Sequence, residues 1–464
     1  MATRLKPLDA SWLYVDSRAT PMHVASLQIF TPPPKAGPDF VRELVARLKQ
    51  PAKFEAPWNL RLKSSWLRAV LPAWETDNHL DLDYHVRHSA LPAPGGEREL
   101  GILVSRLHSN ALDFDRPLWE VHIIEGLEGG RLALYAKMHH SLIDGVGGMR
   151  LLQRAMATSA RSREFAPPWS IGATQPSRKP KDADASTEPM AALIEALRRE
   201  GGNLREAVRG VADAWKLGSR GEGDALIAPF DAPNSLLNQR ITPARRFATQ
   251  QYSLARLRTL AENADVTLND VVLAISAGAL RRFLKELHAL PGQALTAGLP
   301  VSVRPQGDQA LGTAISFILA NLGTDVADPL LRLNAIHQST LRAKELLQGL
   351  PRAALNSYTM LYMAPFVLGQ LTGIGGHGRP MFNVAISNVP GPDKPLYFAG
   401  AKLEAMYPVS VLQHGQALNV TCVSYAGKLN FGYTGCRDTL PHMQRLAVYT
   451  GEALDELEAA VGTG

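Results

Sequence analysis

Apolar and polar positions alternate from Arg131 to Met138, with Leu132, Leu134, Ala136 and Met138 on one side and Ala133, Tyr135 and Lys137 on the other. That period of two predicts a strand. Just upstream, Trp119, Val121 and Ile123 alternate with Glu120, His122 and Ile124, which predicts a half-buried strand in which Trp119 is core. Beyond Gly145 the period changes, and Met149, Leu152 and Met156 recur at helical spacing. Farther on, residues 267–287 predict a helix. Asp328 and Pro329 supply a cap and a first-turn proline for another that runs to about Gln348, where Gly349 and Pro351 stop it. The segments FNVAIS and ALNVTCVSY predict strands, with a rigid turn at residues 388–392 after the first.

These patterns divide the chain. Residues 1–160 form a first domain of strands and helices. Residues 161–244 join it to a second domain over residues 245–464. Ser159 to Met190 has the Ser, Pro and charge content of a flexible linker, and Ala191 to Lys216 has helical periodicity broken by Gly201 and Gly202. One uncharged, strongly apolar stretch, Ala353 to Gly376, has the length of a membrane span. Asn356, Ser357, Tyr358, Pro365, Gln370 and several glycines interrupt it, so it predicts a buried or interfacial helix that lines an apolar channel or touches a lipid surface.

Between the predicted strand and helix stands His139-His140-Ser141-Leu142-Ile143-Asp144-Gly145. Extended geometry points the two histidines in opposite directions, so only one can face a given cavity. A positioned neutral imidazole can take a proton from a hydroxyl, amine or thiol. Asp144 can touch that base or hold the loop by pairing with an arginine, while Gly147 and Gly148 permit close backbone approach. A purely structural, hydrogen-bonded histidine pair is the plain alternative. A zinc site would also use His and Asp, but adjacent strand histidines diverge and no HExxH or paired-cysteine spacing occurs, so no metal is predicted. No GxSxG elbow marks a serine hydrolase, which leaves Ser141 as a loop hydrogen-bonder.

The HHxxxDG pattern resembles the signature of acyltransferases with the chloramphenicol acetyltransferase-like fold. RPLWEVHIIEGL, TLNDVVLAISAGALRRFL, PVSVR and SNVPGP follow in the order and rough spacing of the bacterial wax ester synthase/acyl-CoA:diacylglycerol acyltransferase family. The opening PLDASWLYVDSRATPMHV and the closing LNVTCVSYAGKLNFGYTGCRD also resemble it, so the likeness spans nearly the whole chain. It implies an α/β fold of two chloramphenicol acetyltransferase-like domains, with mixed sheets and flanking helices, joined by a linker and clasping a channel. Only the first domain would supply the base.

The same resemblance implies the chemistry. A long-chain fatty acyl group would pass from acyl-CoA, as co-substrate, to a fatty alcohol or a diacylglycerol, with no covalent intermediate and no bound cofactor. His140 would be the general base, with His139 beside it. Asp144 and Arg304 would form a clamp on the loop, and Asn269, in a motif associated with activity, would donate a hydrogen bond to a reacting oxygen. Asp270 and Gly145 would support the site, and the turn at residues 388–392 would position it.

Composition adjusts the picture little. At 464 residues and 45% hydrophobic content the chain suits two or three packed domains. Its N-terminus lacks the apolar run of a signal peptide, and Cys422 and Cys436 alone imply no disulfide framework. Both fit a cytoplasmic protein, peripheral to the inner membrane face or to lipid inclusions. The net charge of +6 and pI near 9.2 suit the phosphates of coenzyme A and acidic lipid headgroups. No nucleic-acid-binding motif accompanies the charge, and nothing in the sequence fixes an oligomeric state. Two other readings are a transferase of the same fold acting on an amine or a carrier-bound acyl group, and a non-catalytic lipid-surface protein.

Overall fold

The computed structural model describes residues 3–5, 7–50, 53–63, 72–143, 145–162, 165–172, 227–302, 315–349 and 355–462. In the first half, β1 (Thr3–Arg4), α1 (Pro7–Tyr14), β2 (His23–Thr31), α2 (Phe40–Leu48), β3 (Leu60–Leu62), β4 (Ala73–Thr76), α3 (Leu82–His85) and β5 (Val86–Ala90) lead into α4 (Glu97–Ser109). Then come β6 (Trp119–Leu127), β7 (Arg131–His139) and α5 (Gly145–Arg154). The second half holds β8 (Arg245–Ser253), α6 (Leu254–Asn263), α7 (Leu268–Glu286), β9 (Thr296–Ser302), β10 (Ile315–Asn321), α8 (Pro329–Gln348) and α9 (Leu355–Leu371). It closes with β11 (Val384–Val389), β12 (Tyr397–Phe398), β13 (Ala401–Val409), β14 (Leu418–Tyr425), β15 (Lys428–Cys436) and α10 (Arg445–Gly462).

Two six-stranded mixed sheets make the frame, ordered β12-β13-β2-β7-β6-β5 and β10-β9-β11-β14-β15-β8. With their flanking helices they give the two-domain α/β architecture that the resemblance implies. The first sheet is completed from the far end of the chain: β13 pairs antiparallel with β2 along its length. Strand pairing of that separation leaves no local mark in a sequence.

β6 is not half-buried as its alternation predicts; Trp119 through Ile124 are all buried. The reason is that both faces of the sheet are covered. Leu100, Leu103, Val104 and Leu107 of α4 pack on one face, and Leu44, Val45, Leu48 and Trp58 on the other. Burial extends to charges: Lys137 on β7 is fully buried and ion-paired with Glu120 at 3.2 Å.

The expected linker is also partly structural. Most of residues 159–190, and all of 191–216, lie outside the described residues, but Trp169 is fully buried, stacked on Trp119 at 5.5 Å and edge-on to Trp58. One indole removes enough apolar surface from water to dock a segment whose composition is otherwise polar.

Helix boundaries follow their chemistry. Asp328 accepts from the N–H groups of Leu330 and Leu331 at the start of α8, and Thr267 and Asp270 form a reciprocal capping box on α7. α9 occupies much of the uncharged stretch and leans on the second core, with the Phe366 and Phe382 rings 5.6 Å apart. Among the described residues, no helix is long and apolar enough to cross a membrane. β11 continues through Asn388 to Val389, so the turn expected from Asn388 begins only at Pro390. At Gly391 a side chain would collide with the Ser424 carbonyl oxygen, which holds this turn against β14.

The halves meet where α4 lies along β8. Ser109 Oγ accepts from Arg245 N and Ser105 Oγ from Phe247 N, both at 2.9 Å, so two edge N–H groups of the second sheet are capped by the first domain's helix.

Candidate active site

β7 delivers the histidine pair. His23 of β2 stands opposite His139, and the ladder continues one residue further, with His140 N donating to Met22 O at 2.8 Å. His139 N donates to Leu118 O at 2.9 Å, and Leu142 N closes the turn on His139 O at 3.0 Å. Both histidines are therefore fixed by their backbones before their rings are considered.

The rings differ. His139 is 1% exposed, and its Nδ1 accepts from Ser141 N at 3.2 Å. A nitrogen that accepts from an N–H carries the lone pair, so the ring proton sits on Nε2 and is donated to Asp16 Oδ2 at 3.3 Å. Ser141 Oγ donates to the same Nδ1 at 2.6 Å. Both nitrogens of His139 are thus occupied. His140 is half-buried, and its ring stacks on Trp12 with centroids 4.0 Å apart and planes 22° apart.

Trp12, at the end of α1, and Asp16, just past it, lie in the opening segment that resembles the family, but local pattern assigned neither a role. Asp16 Oδ2 also accepts from Met22 N at 2.6 Å, tying residues 15–22 into a loop across the end of β7. A companion carboxylate to a histidine found more than a hundred residues away has no sequence signature.

The remaining expected residues fall in several places. Asp144 and Arg304 lie outside the described residues. Gly145 opens α5, and a Cβ there would meet nothing within 4 Å; Gly148 would meet only an ordinary contact with Ile143. Among the described residues, nothing crowds the Cβ direction of Gly145. Asn269 is half-buried at the start of α7, and its side chain makes no hydrogen bond to another described residue. Asp270, beside it, is fully buried and accepts from Thr267, from His337 Nδ1 at 2.9 Å and from Thr340 Oγ1 at 2.6 Å. Burial raises its pKa, but these donors outweigh it and hold the carboxyl below its ordinary value. Among the described residues, no hydrogen bond or ring contact joins Asn269 or Asp270 to either histidine.

Behind the pair lies a buried polar layer. Lys137 Nζ donates to Leu107 O and Asn110 O at 3.1 and 2.9 Å, pinning the end of α4 to the strand that carries His139. Burial works against the Glu120 carboxylate, yet His122, Lys137 and Arg87 hold its pKa down at about 2. His23 donates from Nε2 to His108 O, while His108 donates from Nε2 to Ser410 O and accepts from the Tyr135 hydroxyl. Burial pushes the His108 imidazole down to about 3, so it is neutral at physiological pH. Among the described residues, no group of three His, Cys, Asp or Glu side chains is arranged to hold a metal ion.

Residues 5–272 match the wax ester synthase/diacylglycerol acyltransferase catalytic domain, and residues 311–458 the C-terminal domain of the same family. A putative diacylglycerol O-acyltransferase of Mycobacterium tuberculosis is 47% identical, over 99% of this chain and 98% of its own length. The O-acyltransferase WSD of Acinetobacter baylyi is 37% identical over 98% and 97%. The solved structure of a wax ester synthase/diacylglycerol acyltransferase from Marinobacter aquaeolei is 38% identical and superposes with a TM-score of 0.80, covering 99% of this chain and 100% of that one. The first condensation domain of the calcium-dependent antibiotic synthetase, at 18% identity and a TM-score of 0.59 over 99% of this chain and 96% of that one, shares the fold. With both domain models matched and relatives aligned end to end, the chain belongs to the wax ester synthase/diacylglycerol acyltransferase family of acyl-CoA-dependent O-acyltransferases.

Proposed function

We propose that the chain moves a long-chain fatty acyl group from coenzyme A to a fatty alcohol, giving a wax ester, or to a diacylglycerol, giving a triacylglycerol, with His140 as the general base. The observation that carries the choice of base is the occupancy of its neighbour. His139 spends one ring nitrogen on Asp16 and the other on Ser141, which suits a support, while the half-buried His140 ring lies stacked on Trp12.

An alcohol is a weak nucleophile at neutral pH. His140 removes its proton as the oxygen attacks the thioester carbonyl, a contribution of typically about 10²–10⁴-fold. The tetrahedral oxyanion then collapses: the new C–O bond stays, the C–S bond breaks, and the departing thiolate takes the proton back from His140. No acyl-enzyme forms. Asn269 and the first N–H groups of α5 are the proposed oxyanion donors, each worth roughly 2.7–4 kcal/mol. Asp144 and Arg304 are proposed as the clamp on the loop, and coupling between them in a double-mutant cycle on stability tests it. We further place the protein at the cytoplasmic face of a membrane or on lipid inclusions, with α9 as the contact or as part of the acyl channel. A folded Phe366→Glu variant with unaltered vesicle binding and chain-length preference would remove both roles.

The deciding experiment follows free thiol from palmitoyl-CoA with hexadecanol or a diacylglycerol offered in parallel, products being identified by mass. Acceptor-dependent release is expected from the unaltered protein and its loss in His140→Ala. Wild-type release by His140→Ala, with loss in His139→Ala, would reverse the assignment.

A further inference from the structure

A cleft of about 1420 Å³ opens where α4, β8 and the loop over residues 15–22 converge. Six arginines line it: Arg18, Arg98, Arg106, Arg245, Arg246 and Arg437. Among the described residues, only Glu97 and Asp438 oppose them, leaving an excess of four positive charges. The acids are already engaged, Asp438 by Arg437 at 3.3 Å and by Thr242, and Glu97 by Thr249. Among the described residues no carboxylate pairs with Arg18, Arg98, Arg106, Arg245 or Arg246.

Such a lining is costly to keep without a purpose. Arg245 is 3% exposed and paired with no acid among the described residues, and burial pulls its pKa down to about 10 while leaving it charged. Its guanidinium donates to the carbonyl oxygens of Ala19 and Thr242 instead. A concave wall with an excess of positive charge focuses its field into the cleft, and a ligand of opposite charge relieves the mutual repulsion. Ile102, 61% exposed among these arginines, adds an uncovered apolar side chain at the rim.

We propose that this cleft holds the nucleotide end of the acyl donor, the phosphorylated adenosine diphosphate moiety of coenzyme A; the assignment of this donor rests on the function proposed above. The charges match. A ribose phosphomonoester carries about −1.5 to −2 at neutral pH, and the pyrophosphate bears a further charge on each phosphorus, close to the arginine excess. A lipid phosphodiester carries a single charge, and a flat bilayer does not enter a concavity. Guanidinium forks suit phosphate oxygens, and Ile102 offers the purine a surface to cover.

The cleft also adjoins the histidines through one loop. Arg245 Nη2 donates to Ala19 O at 2.7 Å; three residues earlier Asp16 holds His139, and Met22 at the loop's end accepts from His140 N. Arg18 lies between these anchors. A nucleotide seated on the outer side of residues 15–22 has its pantetheine arm directed past that loop to the reacting thioester.

The test combines binding with a substrate comparison, on the full chain. Adenosine 3′,5′-bisphosphate is titrated into wild type, Arg98→Ala, Arg106→Ala and the double variant, whose folding is checked by thermal melting. Removing either guanidinium, with its charge-assisted hydrogen bonds to phosphate, is expected to weaken binding about tenfold or more. The ratio of kcat/KM for an acyl-CoA to that for the matching acyl-N-acetylcysteamine thioester, which has no phosphates, is expected to fall in parallel, chiefly through KM. Unaltered bisphosphate affinity and an unaltered ratio in the double variant would overturn the proposal. So would loss of binding to phosphatidylglycerol vesicles with bisphosphate binding intact, which would reassign the cleft to lipid headgroups. Absence of thiol release from either thioester would instead count against the proposed function, and the bisphosphate titration would still judge the cleft.

Discussion

The Trp12 indole lies face to face with the His140 imidazole, centroids 4.0 Å apart, so the side chain proposed to move the proton, just past β7, is held by a residue of α1. Stacking of this kind is worth about 0.5–1.5 kcal/mol beyond area burial. Trp12→Ala is therefore expected to lower kcat/KM for thiol release by about 2–10-fold, and Trp12→Phe, which keeps a ring, by less. Equal losses in the two variants would show that ring stacking is not what positions His140.

Asp16 is expected to matter through its two donors. Asp16→Ala leaves His139 Nε2–H and Met22 N unpaired in a buried place, at about 1–3 kcal/mol for each orphan, and should lower the urea midpoint accordingly. Asp16→Asn keeps one oxygen acceptor and should cost less. A midpoint unmoved by either change would mean that water takes over both bonds.

Asn269 and Asp270 are adjacent yet should behave oppositely. Asp270 is fully buried with donors from Thr267, His337 and Thr340, so Asp270→Ala should destabilise by about 3–5 kcal/mol and reduce the yield of folded protein. Asn269→Ala, which breaks no hydrogen bond to a described residue, should lower turnover while leaving the melting temperature within a few degrees. An unfolded Asn269→Ala would make that residue structural.

Acid should unfold the protein through the layer behind β7. His108 has a folded-state pKa of about 3 against an ordinary 6.5, so between these values only the unfolded chain takes up its proton. Its contribution is present above pH 6.5 and is lost as pH falls toward 3, at about 1.4 kcal/mol per pH unit. Glu120, depressed from 4.5 to about 2, adds a loss of the same sign below pH 4.5. Urea midpoints measured from pH 7 to 3 should fall throughout and steepen below 4.5, and His108→Gln should flatten the upper part of that range. A flat midpoint from pH 6.5 to 4.5 in the unaltered protein would contradict the assignment of His108 as a buried neutral histidine.

Periodicity by itself determined β7, the helices that start at Gly145 and Leu268, the capped helix from Pro329 and the strands β11 and β14, because side-chain period and capping chemistry act within a few residues. The HHxxxDG run and its companion segments likewise identified the family from the chain alone. Tertiary structure decided the rest. That β13 completes the first sheet, that Trp169 is core rather than linker, and that β6 is covered on both faces all depend on which surfaces meet after the chain has folded. The division of labour between His139 and His140 has the same origin. Two identical side chains side by side differ only because Asp16 reaches one ring and Trp12 the other, and both contacts span more than a hundred residues. Hydrogen bonds and ring contacts act over a few ångströms of space, and the order of residues along a chain does not record which distant partners will come within that range.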